Sequence, residues 1–201
     1  TSEFLDAARA SRVPRAAAGL RLATAGPLHL EATVRVLQRR PANPVEVWAQ
    51  GRYLRMFATA DGHVLTAVQN RGSIDAPDVR CTVLAGAPSA AARRALAQRL
   101  RATLGLDIDA VPLQRAAERV PSLRPTALAL HGMRPPRFPE LFDAFVNVIP
   151  FQQLSLDAGA AIVGRLVQRF GERMQHADRS FAIYPSAGVI VDARVAGLIA
   201  C

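Results

Sequence analysis

Between Pro27 and Gln38, the residues Leu28, Leu30, Ala32, Val34 and Val36 alternate with His29, Glu31, Thr33, Arg35 and Leu37. A period of two predicts a half-buried strand. After a turn at Pro41–Pro44, the stretch Val45–Phe57 is rich in β-branched and aromatic residues. Asp61-Gly62 then separates the strand-like runs Tyr53–Thr59 and His63–Gln69, which predicts an antiparallel hairpin. Val79, Cys81 and Val83 alternate again. Behind Pro88 the spacing becomes helical over Ser89–Leu104, with Leu96, Leu100 and Leu104 on one face and Gly105 as the stop. Four or five strands closed by a helix are expected.

From Val111 to Pro139 six prolines punctuate the chain (Pro112, Pro121, Pro125, Pro135, Pro136 and Pro139), so the segment is read as a turn-rich connection with at most short helices. Two helical stripes follow. Leu141, Phe142, Phe145, Val148 and Ile149 form one; Ile162, Val163, Leu166, Val167 and Phe170, ended by Gly171, form the other. The organisation predicted is an α+β domain with an N-terminal antiparallel sheet over residues 1–120, followed over 121–201 by the first helices of an all-α domain. Val189–Cys201 is an apolar helix-like pattern with no capping Gly or polar tail, so the chain is expected to stop inside a domain.

With 201 residues and half of them apolar, the chain can bury a real core, which excludes disorder. Its formal net charge of +9 makes a polyanionic partner plausible. Every basic residue is Arg, so no side-chain amine is present to form a Schiff base. Cys81 and Cys201 form no C-x-x-C pair, which fits a reducing cytosol and neither a zinc knuckle nor a disulfide scaffold. No run of about 18 apolar residues occurs, so no membrane span is expected. Residues 1–25 combine Arg9, Arg12, Arg15 and Arg21 with Glu3 and Asp6 and lack an apolar signal core; they are read as a peripheral helix or coil.

Between the two helical stripes lies Pro150-Phe151-Gln152-Gln153-Leu154. Pro150 cannot donate an N–H and pushes Ile149 away from the helical region, so the first helix should end or kink there. Ser155 can cap the second helix, with Asp157 placed against the positive end of its dipole. Gln152 and Gln153 on this elbow either cap backbone groups, the commoner fate of such residues, or face a partner. His29, His63, His131 and His176 lack metal-ligand spacing, and no cofactor is expected. Asp143, Asp157 and Asp192 are read as structural or solvated.

The run from His131 to Phe142 (HGMRPPRFPELF), the run from Asn147 to Leu156 (NVIPFQQLSL) and Arg165–Gly171 (RLVQRFG) together resemble the helix-hairpin-helix DNA glycosylase superfamily. The branch most resembled is DNA-3-methyladenine glycosylase II. In that branch the pattern runs G-x-R-x-P, helix, a Gln pair or Gln-hydrophobic pair, Ser, then a helix ending R-L-x-x-x-[FY]-G. Phe181–Ser186 is similar to its F-P-[ST]-P entry to the next helix. The resemblance implies excision of alkylated purines from duplex DNA by base flipping, with Gln153 as the wedge that fills the gap and Gln152 and Ser155 positioning its loop. Where relatives carry a hydrophobic wedge, this chain has an amide. Arg134 and Arg137 become candidate phosphate contacts, with capping of the Pro-rich loop the equal alternative.

The family's Gly-rich hairpin and catalytic Asp have no counterpart before Cys201, so no catalytic residue is assigned and the 201-residue chain is expected to bind DNA weakly without turnover. The expected setting is that of a monomeric, bacterial, cytoplasmic, nucleoid-associated base excision repair enzyme whose partner is double-stranded DNA with a damaged base. A catalytically inactive DNA-binding relative is the alternative reading; a basic structural domain, similar only at packing positions, is a third.

Overall fold

The computed structural model describes residues 19–199 and 201. Most of the peripheral segment expected over residues 1–25 lies outside the described residues, but its end is strand β1 (Leu20–Leu22). There follow α1 (Leu30–Gln38), β2 (Val47–Ala49), β3 (Arg52–Thr59), β4 (Gly62–Asn70) and β5 (Val79–Ala85). The five strands pair antiparallel in the order β1-β5-β4-β3-β2. Helices α2 (Ala90–Thr103), α3 (Val111–Glu118) and α4 (Arg124–Ala129) come next, then α5 (Leu141–Val148) and α6 (Leu156–Phe170). Residues 121–201, read as the first helices of an all-α domain, also hold a hairpin of β6 (Arg173–His176) and β7 (Arg179–Ala182), whose Phe181 packs on the main sheet; two short helices, α7 (Ala187–Asp192) and α8 (Val195–Ile199), complete an α+β fold.

The segment read as a strand over residues 27–38 is helix α1. Its buried residues, Leu30, Thr33, Val34, Leu37 and Gln38, recur at helical spacing, and Val36, which alternation would bury, is exposed. Both periods are present in the sequence, and the helical one wins through its local chemistry. The His29 ring accepts from the Ala32 N–H at 3.2 Å as an N-cap, and Glu31 and Arg35 pair one turn apart at 3.0 Å.

The hairpin turns one residue earlier than expected. Ala60-Asp61 form its loop, Gly62 already pairs with Thr59, and the Asp61 carboxylate accepts from the Ser89 N–H at 2.9 Å, tying the loop to the N-cap of α2. That bond holds the Asp61 carboxyl below its ordinary range.

Alternation along β3 and β4 gives the sheet two apolar faces. Tyr53, Phe57, Val64 and Val68 meet α1 and the Leu96, Leu100, Leu104 stripe of α2. On the other face Leu54, Met56, Leu65 and Ala67 meet Phe181 of β7. A third cluster, Val45 with Val146, Val163, Val167 and Tyr184, fastens α5 and α6 beside the β2 edge. Gly105, with φ +61°, ends α2 where a Cβ would lie 2.8 Å from the Pro135 carbonyl; only glycine fits both constraints.

The α5 stripe faces differently from the reading of its sequence. Leu141, Phe145, Val148 and Ile149 are exposed, Leu141 to 73%, and the residues α5 buries are Val146 and Asn147. The inward side combines the apolar Phe142 and Val146 with polar contacts of Asp143 and Asn147.

Candidate functional site

Residues Ile149–Phe151 form a single 3-10 turn after α5, and the chain then bends into α6. Pro150 stands at the second position of that turn, where a missing N–H costs nothing; Ile149 before it keeps helical angles (φ −57°, ψ −47°), contrary to the expected displacement, so the break comes from the tightened turn. The Ser155 hydroxyl caps α6 by accepting from the Ala158 N–H at 3.2 Å. Asp157 lies in the first turn as expected and also pairs with Arg40 at 2.7 Å.

Gln152 and Gln153 sit at the tip of the elbow, and both are exposed, as is Leu154 beside them. Gln152 donates its backbone N–H to the Ile149 carbonyl at 3.1 Å. Among the described residues neither side-chain amide has a protein partner, so they are not spent on capping. Gln153 has φ +60°, a left-handed conformation that a side chain adopts at a cost of about 1 kcal/mol. Leu154 carries no role in the sequence reading, and nothing but its exposure marks it.

The elbow is gripped from two sides. The Arg39 guanidinium lies 4.1 Å from the centroid of the Phe151 ring and donates to the Asn147 carbonyl at 2.7 Å. The ring also rests on α6 at Gly159, where a Cβ would come within 2.5 Å of it. Between the Gln38–Pro44 turn and α6 a largely apolar cleft of about 510 Å³ remains open.

Under the elbow is a buried ionic cluster that the sequence did not disclose. Arg55 (1% exposed) pairs with Glu46 (0%) and, at 2.9 Å, with Asp143 of α5. Tyr53 donates its hydroxyl to Glu46 at 2.6 Å, and Tyr184 donates to the Asn147 side chain at 3.1 Å. Burial alone would lower the Arg55 guanidinium, but the Glu46 carboxylate overrides it and holds the cation. Asp143 is thus held in the ion pairing of the fold.

Burial pushes the Asp143 carboxyl up from 3.8 to about 6 against the pull of Arg55, with Glu46 and Glu140 adding to the rise. The folded state then binds more protons than the unfolded one between about pH 4 and 6, so stability falls as pH rises through that window. Asp143→Asn should remove this slope, and the wild-type-minus-variant difference in unfolding free energy should change by about 1–3 kcal/mol between pH 4 and 7. Urea unfolding across that range reads it directly; parallel profiles would contradict the assignment.

The two arginines read as candidate phosphate contacts are otherwise engaged. Arg134 is fully buried, and its side chain donates to the carbonyls of Pro27 (2.9 Å), Ile108 and Ala25, while its N–H donates to the Thr33 hydroxyl at 3.0 Å. Arg134 therefore stitches the fold and cannot reach a phosphate. Arg137 donates to the Ala102 carbonyl at 3.1 Å and pairs with Asp107, holding that carboxyl below its ordinary range. It caps the end of α2 and stays half exposed at the surface. His29 caps α1, and His131 bridges Asp75 and Gln114. Among the described residues no group of three His, Cys, Asp or Glu could hold a metal ion, and no helix is long and apolar enough to cross a membrane.

Residues 19–140 match the family described as the AlkA N-terminal domain. The chain belongs to that family. The AlkA-type domain accounts for the sheet, α1 to α4 and the Gly132-Met133-Arg134-Pro135 junction; the elbow lies beyond it. No curated protein matches the chain. Among solved structures, a 3-methyladenine DNA glycosylase from Archaeoglobus fulgidus is 21% identical with a TM-score of 0.72 over 90% of this chain and 61% of that one. The Clostridium acetobutylicum 8-oxoguanine glycosylase/lyase, in complex with double-stranded DNA containing cytosine opposite 8-oxoG, is 12% identical with a TM-score of 0.65 over 92% of this chain and 60% of that one. MBOgg1 in complex with a low-affinity DNA ligand is 15% identical with a TM-score of 0.63, over 87% and 54% respectively. The chain thus shares the fold of part of these glycosylases, and it spans less than two thirds of each of them.

Proposed function

We propose that this chain is the lesion-reading front of a DNA repair glycosylase that excises alkylated purines from duplex DNA by flipping the base and hydrolysing its N-glycosidic bond. The observation that carries the reading is the elbow. A rigidly gripped turn in an AlkA-type chain presents Gln152, Gln153 and Leu154 to solvent, and Gln153 is held in a strained backbone conformation.

Extruding a base costs a few kcal/mol of stacking and pairing, and a side chain that enters the gap recovers part of it. Gln153 supplies both a donor and an acceptor to the widowed base, and Leu154 beside it supplies apolar bulk. Ser155 sets the elbow's exit into α6 through its cap, and Gln152 keeps the turn closed through its N–H. The net +9 charge favours the phosphate backbone as partner; Arg134 is buried in the fold, while Arg137, exposed beside Asp107, stays a candidate phosphate contact. In this reading residues 1–120 form the α+β domain, residues 121–201 open the helical domain, and the protein works as a monomer in the bacterial cytoplasm.

The catalytic carboxylate is proposed to follow Cys201. A protein carrying this chain and that remaining part should release free base from alkylated duplex DNA in single-turnover assays. Salt-sensitive duplex binding without base release would assign the inactive DNA-binding relative instead, and absent or salt-independent binding would overturn both readings.

A further inference from the structure

The turn that closes α1 reaches across the open cleft to the elbow. Arg39 has φ +56°, and its backbone N–H ends α1 on the Arg35 carbonyl at 3.0 Å. That left-handed turn aims two consecutive side chains at the two helices flanking the elbow. Arg39 stacks on Phe151 and donates to Asn147 in the last turn of α5; Arg40 pairs with Asp157 in the first turn of α6.

The two contacts differ in weight. Arg40 and Asp157 are both substantially exposed, and such pairs contribute little. Arg39 joins a planar cation–π stack to a charge-assisted bond on a carbonyl that the helix end leaves without an intrahelical partner. Phe151 cannot retreat from it, because the ring already rests on the Gly159 backbone with no room for a Cβ. Asn147 is itself fixed, donating to the Asp143 carbonyl at 2.8 Å and accepting from Tyr184. The cleft of about 510 Å³ beside this bridge means that little else connects the 38–44 turn to α6.

We propose that Arg39 is the positioning residue of the elbow: its stack on Phe151 and its bond to the end of α5 lock the Gln152-Gln153 tip to the sheet domain, so that the tip meets a duplex preformed. The proposal rests on the elbow's reading of DNA for its consequence, but not for its mechanics, and the two parts are tested separately.

In the 201-residue chain, Arg39→Lys, Arg39→Met and Phe151→Leu are compared with wild type. Lysine keeps the charge and the length and loses the planar stack, so it guards against a variant that merely fails to fold. The Arg39 side-chain N–H signal should be shifted upfield by the Phe151 ring current, and Phe151→Leu should abolish that shift. Hydrogen exchange at the bonded amides of Gln152, Ala158 and Gly159 should rise about 3- to 10-fold in all three variants, the range a half-buried cation–π contact supplies, with α2 and β3–β4 unchanged. Arg39→Met in the Phe151→Leu background should add less than it does in wild type, because only the bond to the Asn147 carbonyl is then left to lose. The preference for a duplex with one abasic-site analogue over intact duplex at low salt should fall by a similar factor, with intact-duplex affinity preserved.

Unchanged exchange at the elbow, or fully additive effects of Arg39→Met and Phe151→Leu, would overturn the proposal. Raised exchange in a chain whose wild type shows no abasic preference would uphold the lock and refute the DNA-reading role instead.

Discussion

Arg55→Met should lower the unfolding free energy of this chain by about 3–5 kcal/mol in urea titrations, the cost of leaving a buried carboxylate without its counter-charge. Glu46 is completely buried, and after the substitution its charge would be met only by the Tyr53 hydroxyl. Asp143 would also lose its partner, though it can shed its charge by taking up a proton, since its carboxyl already titrates near 6. A domain of this size has about 5–15 kcal/mol in total, so the variant should stand close to its unfolding midpoint under mild conditions. Glu46→Gln in the Arg55→Met background should recover a large share of the loss, because removing the orphaned charge removes the main penalty. A loss under about 1 kcal/mol, or no recovery in the double variant, would mean that the cluster is solvated in practice.

Arg134→Met should destabilise the chain by about 2–4 kcal/mol through the unpaired carbonyls of Ala25, Pro27 and Ile108. These carbonyls come from two connections, one before α1 and one after α2, and the guanidinium fork is what satisfies them together. Arg134→Lys should rescue only in part, because an ammonium is a point charge that cannot match three fixed acceptors. Duplex affinity, measured at a temperature where each variant is folded, should stay within about twofold of wild type, since a surface phosphate contact is the term these substitutions do not touch. Lost duplex affinity with an unchanged melting temperature would restore the phosphate-contact role.

These two arginines also show where sequence reading stops. In a chain whose 25 basic residues are all Arg, nothing marks the buried ones by type. Arg55 carries a local signal, a charge inside the apolar run Tyr53-Leu54-Arg55-Met56-Phe57, but its partners Glu46 and Asp143 are separated along the chain and meet only in the fold. What was legible was what short-range physics determines: the β3–β4 hairpin, the α2 stripe with its start behind Pro88 and its Gly105 stop, and the Pro150 break followed by the Ser155 cap. Residues 27–38 satisfied two periods at once, and the capping ring of His29 with the Glu31–Arg35 pair decided for helix over alternation. The α5 stripe was correctly helical but turned outward, because the inward side is claimed by Asp143, Val146 and Asn147.

The elbow itself was visible as a Pro-kinked junction bearing two amides. Its grip was not, since Arg39 lies over a hundred residues away from Phe151 and Asn147 in sequence. The outcome at Gln152 and Gln153 departs from the commoner fate of such residues: they are displayed, not used as caps.

The central claim is that this tip probes distorted duplex DNA, and it is tested most directly by measuring the binding of wild type and Gln153→Ala to an intact duplex and to the same duplex with one abasic-site analogue, at low salt. Wild type should prefer the abasic duplex, and Gln153→Ala should lose that preference by about 5- to 10-fold, the share of the extrusion cost one inserted side chain returns, while binding intact duplex as before. An unaltered preference in Gln153→Ala, or equal loss on both duplexes, would contradict it.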